Sequence, residues 1–151
     1  MQVSQIRKEN NGDLWFEISG EKTKNTEPQR IFLNIFAKKI IEKRIEELGL
    51  THYIFPAGTK TGYMRADVLV KKVQRIQALA EKEGIKYFTA HDLRRSAATG
   101  IARLGYGSII GDILNHKKRG VTRRVYDLYD RGPEIKNALK EWSEIIIQNL
   151  H

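Results

Sequence analysis

The sequence predicts an α+β fold in which a small antiparallel β-sheet at the N-terminus is followed by a mainly α-helical bundle. Short strand-like runs with a turn cluster between them occupy the chain up to residue 34, and from residue 35 onward the apolar residues recur with helical spacing. The length of 151 residues is typical of one domain, and we assign a single domain to residues 1–151. No long Pro/Gly-rich linker and no internal repeat divides the chain.

Three strands are predicted in the first third of the chain. Met1–Arg7 and Leu14–Ser19 flank an Asn-Asn-Gly-Asp cluster, and Asn-Gly between two such runs is a hairpin signal. Gly20–Gln29 is polar and is expected to form a loop. Arg30–Asn34 is predicted to be the third strand of the sheet.

Apolar spacing and capping residues predict the helices. Three apolar stripes are each followed by a glycine, a residue that commonly ends helices: Gly49, Gly84 and Gly105. Two stripes are preceded by a residue that favours the N-cap position, Asp67 and Thr89. The predicted helices are Ile35–Leu48, Asp67–Glu83, Thr89–Leu104, about Ser108–Leu114, one around Tyr126, and Glu134–Leu150, with a short apolar piece at Tyr53–Phe55.

Composition limits the classes of function. The absence of cysteine excludes a disulfide framework, a thiol nucleophile and a thiolate zinc site. No apolar run approaches the roughly 18–20 residues that span a bilayer, and no signal peptide opens the chain. We therefore expect a soluble, cytoplasmic protein that does not bind a membrane. A metal nuclease is disfavoured because its carboxylate cluster is missing, and no metal or cofactor is predicted.

The charge predicts a polyanion as partner. The chain has 27 Lys and Arg against 18 Asp and Glu, a net charge of +9, which favours DNA or RNA. The alternative is a basic surface that serves only solubility. The excess is concentrated in residues 84–126, which hold nine basic and two acidic residues. The predicted phosphate-binding residues there are Arg95, Lys117, Lys118, Arg119, Arg123 and Arg124.

Three segments carry residues suited to phosphoryl transfer. His91 and Arg94 are three residues apart, so they share a helix face on which they could hold a phosphate oxygen and move a proton. Tyr126 follows His116 by ten residues, across the basic run, and a phenol is a competent nucleophile once its proton is removed. Lys24 lies in a polar loop, where it could donate a proton. Taken singly, each segment has a more common explanation. His91 and Arg94 would be an ordinary surface pair, Tyr126 a half-buried core tyrosine, and the Lys24 loop a solvated loop.

Taken together, these segments resemble the tyrosine recombinase (phage integrase) family. The sequence has Thr-Lys-Asn in the first loop, then His-Asp-Leu-Arg-Arg-Ser, then Leu-Asn-His, then Val-Tyr, in that order. The resemblance runs from about Val3 to Leu150, and the tail from Val125 to Trp142 looks like the prophage-type integrases. It implies a catalytic domain that cuts and rejoins double-stranded DNA at attachment sites through a 3′-phosphotyrosyl intermediate, in phage or prophage integration and excision.

The resemblance implies a role for each matching residue. These roles are nucleophile for Tyr126, stabilisation of the transition-state charge for Arg94, general base and phosphate donor for His91, phosphate hydrogen bonding for His116, and protonation of the leaving 5′-oxygen for Lys24. Lys22 competes with Lys24 for the last role. Tyr129 competes with Tyr126 for the role of nucleophile. The Val-Tyr-Asp context and the ten-residue distance from His116 favour Tyr126.

The sequence departs from the family pattern at two points. The common Leu-Gly-His is here Leu114-Asn115-His116, and the first catalytic arginine of the family has no match. Arg7 lies too late in the chain and on the wrong element to replace it. We therefore expect a fragment that lacks this arginine and the N-terminal DNA-binding domains, and that cleaves DNA poorly or not at all.

The last predicted helix, Glu134–Leu150, carries an apolar stripe. This stripe is expected to pack on its own domain in a monomeric fragment, and the family resemblance implies that it links a homotetramer on DNA in the intact protein.

Two other classes of function remain as alternatives to a recombinase. They are a non-catalytic DNA-binding module with the same fold, and a type IB topoisomerase.

Overall fold

The structure is a computed structural model that describes residues 1–23, 28–49, 52–58, 60, 62–116 and 131–150. Its strands and helices are β1 Ile6–Lys8, β2 Leu14–Ile18, β3 Gln29–Phe32, α1 Ile35–Leu48, α2 Ala66–Lys82, α3 Ala90–Ile101, α4 Ile110–Ile113 and α5 Gly132–Gln148. The strands form one antiparallel sheet in the order β1-β2-β3. The predicted α+β class is confirmed.

The sheet lies between two apolar cores. Trp15 on β2 pairs with Phe32 on β3, and their rings meet edge to face at 5.4 Å between centroids. Side chains alternate between the faces of a strand, so Leu14 points to the opposite side from Trp15. The Trp15 core also contains Ile101, Ile109, Ile135 and Ala138, and the Leu14 core contains Leu33, Ile41 and Ile54. Helices α3 and α5 therefore cover one face of the sheet and α1 covers the other.

Helices α3 and α5 approach each other at a glycine. A Cβ atom built on Gly100 would lie within 2.7 Å of the Cζ3, Cη2 and Cε3 atoms of Trp142. Only a residue without a side chain fits there, so Gly100 sets the separation of the two helices. The C-terminal helix thus packs on its own domain, as the sequence predicts for the isolated chain. None of the helices within the described ranges is long and apolar enough to cross a membrane.

Several predicted boundaries were wrong. The first predicted strand, Met1–Arg7, is a 3-10 turn over Val3–Gln5 followed by the short β1, because the Gln5 side chain accepts the Gln2 backbone N–H and stabilises a turn. The cap of α2 is Arg65; Asp67 lies in the first turn, where its carboxylate accepts from Arg65 Nε at 3.1 Å.

The ends of the later helices also differ from the prediction. Helix α3 ends at Ile101 and continues into a wide turn over Ala102–Tyr106, where Gly105 has a φ of 94°. Helix α5 begins at Gly132 because Pro133 fits the first turn of a helix, where no backbone N–H is required. The predicted helix around Tyr126 lies outside the described residues.

Candidate functional site

The start of α3 is held by a reciprocal cap. Thr89 is the N-cap, as predicted, and its hydroxyl accepts the backbone N–H of Asp92, whose carboxylate accepts the backbone N–H of Thr89 at 3.0 Å. The hydroxyl of Thr89 also donates to this carboxylate at 2.7 Å. The two hydrogen bonds that the carboxylate accepts lower the pKa of Asp92, and the bond from the Thr89 hydroxyl has the larger effect. His91 and Arg94 follow within the first two turns, and both are exposed.

The Leu114-Asn115-His116 segment forms a defined helix end. The backbone N–H of His116 donates to Gly111 O at 2.8 Å, and that of Asn115 donates to Asp112 O at 3.2 Å, which together make a Schellman motif at the end of α4. Asn115 has a φ of 50°, in the left-handed region. Asparagine is among the few residues besides glycine that adopt this region readily, so the departure from Leu-Gly-His preserves the turn.

Arg94 connects α3 to this turn. Its Nη2 atom donates to the backbone oxygen of Leu114 at 2.5 Å, across 20 residues of sequence. A guanidinium has five N–H donors, so this bond leaves others for a phosphate. The structure therefore brings Arg94 and the exposed His116 to one place, with His91 one turn earlier on α3. Lys24 and Tyr126 lie outside the described residues.

Further contacts at the turn involve residues that sequence reasoning missed. The side-chain amide of Gln29, at the start of β3, donates to Ile113 O at 2.9 Å. The carboxylate of Asp112, whose side chain is 0% exposed, pairs with Arg131 at 2.8 Å. Gln29 belongs to no motif and lies 84 residues from its partner. A sequence signal existed only for Asp112, which is one of two acids in the basic span.

Two other predicted site residues, Lys22 and Arg95, line concave surfaces. Lys22 is exposed and, with Arg7 and Arg30, lines a cavity of about 410 Å³ beside the base of the β2–β3 connection. Arg95 is about 100° around α3 from Arg94. It lines a groove of about 760 Å³ with Arg103 and Trp142, between α3 and α5. The remaining predicted residues, Lys117, Lys118, Arg119, Arg123, Arg124 and Tyr129, are outside the described ranges.

The described residues contain no group of three or more His, Asp or Glu side chains arranged to hold a metal ion. The site among these residues is built from one guanidinium and two imidazoles, and Arg94 and His116 meet at the carbonyl end of α4. A guanidinium is positively charged and imidazoles can donate hydrogen bonds, so these side chains suit an anionic ligand.

Comparison with known proteins assigns the chain to a family. The family model described as the Phage integrase family matches residues 1–131, which is most of the chain. The chain belongs to the phage integrase family. This is a family of tyrosine recombinases, enzymes of site-specific DNA recombination, and membership implies DNA as the binding partner. No curated protein and no solved structure matches the chain.

Proposed function

We propose that this chain supplies the catalytic residues for the strand-exchange step of phage or prophage integration and excision, within the protein expressed from its complete reading frame. The Tyr126 hydroxyl gives its proton to His91 and attacks a DNA phosphorus atom, and a 3′-phosphotyrosyl bond forms as the bond to the 5′-oxygen breaks. Lys24 protonates that oxygen, while Arg94 and His116 hold the non-bridging oxygens. Attack by the 5′-hydroxyl of a second strand reverses the step, so no external energy source is needed.

The bond from Arg94 to the Leu114 carbonyl supports this proposal most directly. It holds a guanidinium and the His116 turn together although 20 residues separate the two partners in sequence. Both residues are exposed, so a phosphate from solvent has access to them. Two cationic or hydrogen-bonding groups at one exposed place suit the extra negative charge of a pentacoordinate phosphorus.

The test is covalent trapping on DNA by the protein expressed from its complete reading frame. A nicked substrate that loses the leaving strand accumulates the phosphotyrosyl adduct. Tyr126→Phe is expected to abolish the adduct, and Tyr129→Phe to retain it. Arg94→Ala is expected to lower the cleavage rate by about 100-fold or more, the loss typical of one transition-state donor. Arg103→Ala, in the turn that follows α3 and facing the α3–α5 groove, serves as the matched control and is expected to cleave normally.

Each alternative function corresponds to an outcome of the same test. DNA binding without any adduct identifies a non-catalytic DNA-binding module. An adduct on any duplex, with relaxation of a supercoiled plasmid that carries no attachment site, identifies a type IB topoisomerase. Adduct formation confined to one site, followed by joining to a second DNA, supports the recombinase.

The 151 residues alone are proposed to cleave DNA poorly, because no residue among them matches the family's first catalytic arginine. Efficient covalent trapping by this chain alone would contradict the proposal.

Two further proposals concern the assembly and the location of the protein. A homotetramer on DNA is proposed to form through α5, and the mass of the complex on attachment-site DNA tests this proposal. The site of action is proposed to be the bacterial cytoplasm and nucleoid.

A further inference from the structure

Each carbonyl of α4 and the carbonyl of Leu114, the residue that follows it, has a hydrogen-bond partner. The backbone itself supplies the donors for Ile110, Gly111 and Asp112, from the N–H groups of Leu114, His116 and Asn115. The next two carbonyls, of Ile113 and Leu114, lie beyond these backbone bonds, as the last carbonyls of a helix do. They receive side-chain donors from two different elements, Gln29 on β3 and Arg94 on α3.

Arg94 already has a proposed catalytic role, whereas Gln29 does not. Its Nε2 atom lies 2.9 Å from Ile113 O, and the side chain is half-buried, so water competes weakly for the same bond. The accepting carbonyl is three residues before His116, inside the turn that sets the direction of that side chain. Gln29 also begins β3, a strand paired along its length with β2, so its donor is held by a rigid element.

We infer that Gln29 is a positioning residue for His116: its amide holds the Ile113 carbonyl and so fixes the turn from which His116 meets the DNA phosphate. This inference rests on the proposed function. Misplacement of a phosphate ligand by a fraction of an ångström slows chemistry more than it weakens binding, because the ligand acts mainly on the transition state. Gln29 therefore affects the cleavage rate and not the affinity for DNA.

A donor series at position 29 tests the hydrogen bond itself. Gln29→Leu and Gln29→Glu remove the N–H donor, and each is expected to slow cleavage by about tenfold with DNA affinity unchanged within about twofold. Gln29→Lys retains a donor of similar reach and is expected to recover most of the rate. Gln77→Leu, at a buried glutamine on α2, is the matched control and keeps the full rate. Equal rates for all the position-29 variants would overturn the inference.

Two measurements show that the effect passes through His116. In a His116→Ala background, Gln29→Leu is expected to add less than about twofold, because the residue it positions is gone. On DNA in which sulfur replaces the leaving 5′-oxygen, departure needs no proton, so a defect that acts through the Lys24 loop would disappear. The Gln29→Leu defect is expected to persist at about tenfold. Independent, multiplicative effects with His116→Ala, or full recovery on the sulfur substrate, would show the inference to be wrong.

Hydrogen exchange separates this inference from the proposed function. If the unaltered protein forms no DNA adduct, the proposed function fails, yet the geometry is still measurable. The His116 N–H bonded to Gly111 O is expected to exchange about fivefold faster in Gln29→Leu than in Gln77→Leu, which corresponds to the loss of one net hydrogen bond. Unchanged exchange would mean that Gln29 does not hold the turn.

Discussion

The substitution Gly100→Ala tests whether the spacing of α3 and α5 depends on the missing side chain. The added Cβ would lie within 2.7 Å of three ring atoms of Trp142, a separation that real Cβ atoms do not adopt. Either the indole ring or α3 must move, and both lie against the Trp15 core. We therefore expect the substitution to destabilise the fold although alanine is the better helix former.

The two opposing contributions have known sizes. Alanine gains about 1 kcal/mol over glycine in a helix interior. Overpacking a close contact costs typically about 1–3 kcal/mol, and a clash with three atoms of a rigid ring places Gly100→Ala at the upper end. The net loss is then about 2 kcal/mol of unfolding free energy. For a domain of this size, that loss lowers Tm by about 4–8 °C.

The assay is thermal and urea unfolding of the chain with two controls. Gly107→Ala places the same methyl group at a position of helical backbone with nothing within 4 Å, and is expected to leave stability unchanged or raised by up to about 1 kcal/mol. In a Trp142→Leu background, Gly100→Ala is expected to cost much less, because the ring has been removed. Equal stabilities for Gly100→Ala and Gly107→Ala would refute the reasoning.

Three other predictions concern the turn and the cap. Arg131→Met removes a cation from the buried carboxylate of Asp112 and is expected to cost about 3 kcal/mol in urea unfolding. Asn115→Ala is expected to cost about 1 kcal/mol because its φ is 50°, while Asn115→Gly is expected to be neutral. The pKa of Asp92 is lowered from its ordinary value in the folded state, because the Thr89 hydroxyl and backbone N–H donate to the carboxylate. The stability that this carboxylate supplies is therefore full well above the ordinary pKa and is lost as the pH falls through the lowered pKa. Thr89→Ala is expected to raise this pKa, measured by the NMR shift of the Asp92 carboxyl carbon.

Each of these predictions has a result that contradicts it. A wild-type urea midpoint for Arg131→Met would mean that the pair with Asp112 contributes nothing. Equal losses for Asn115→Ala and Asn115→Gly would show that the left-handed backbone is not the constraint. An Asp92 carboxyl that titrates at the same pH with and without Thr89 would remove the cap as the cause of the lowered pKa.

Local chemistry made part of the fold and site predictable. The Thr89 cap follows from a side chain that bonds its own backbone within three residues, and such a bond needs no distant partner. The strand β2 was likewise predicted from a local signal, the Asn-Gly turn that precedes it. The predicted start of the first strand at Met1 was wrong because the Gln5 side chain accepts the Gln2 backbone N–H and stabilises a turn. The Val3 N–H donates to the backbone oxygen of His52, and this contact is long-range and invisible in a local pattern.

The sequence by itself determined the class of the protein. Charge, the order of four short motifs and the change from short strand-like runs to helical spacing were sufficient to indicate a phage integrase family chain, because they depend on residue identity and local separation. Only the tertiary structure decided how the site is held. Gln29 and Arg94 reach carbonyls 84 and 20 residues away, and any residue offers such a carbonyl, so no side-chain pattern marks the acceptor. The separation of α3 from α5 likewise depends on one glycine opposite one indole, which meet only when both helices are packed on the same face of the sheet.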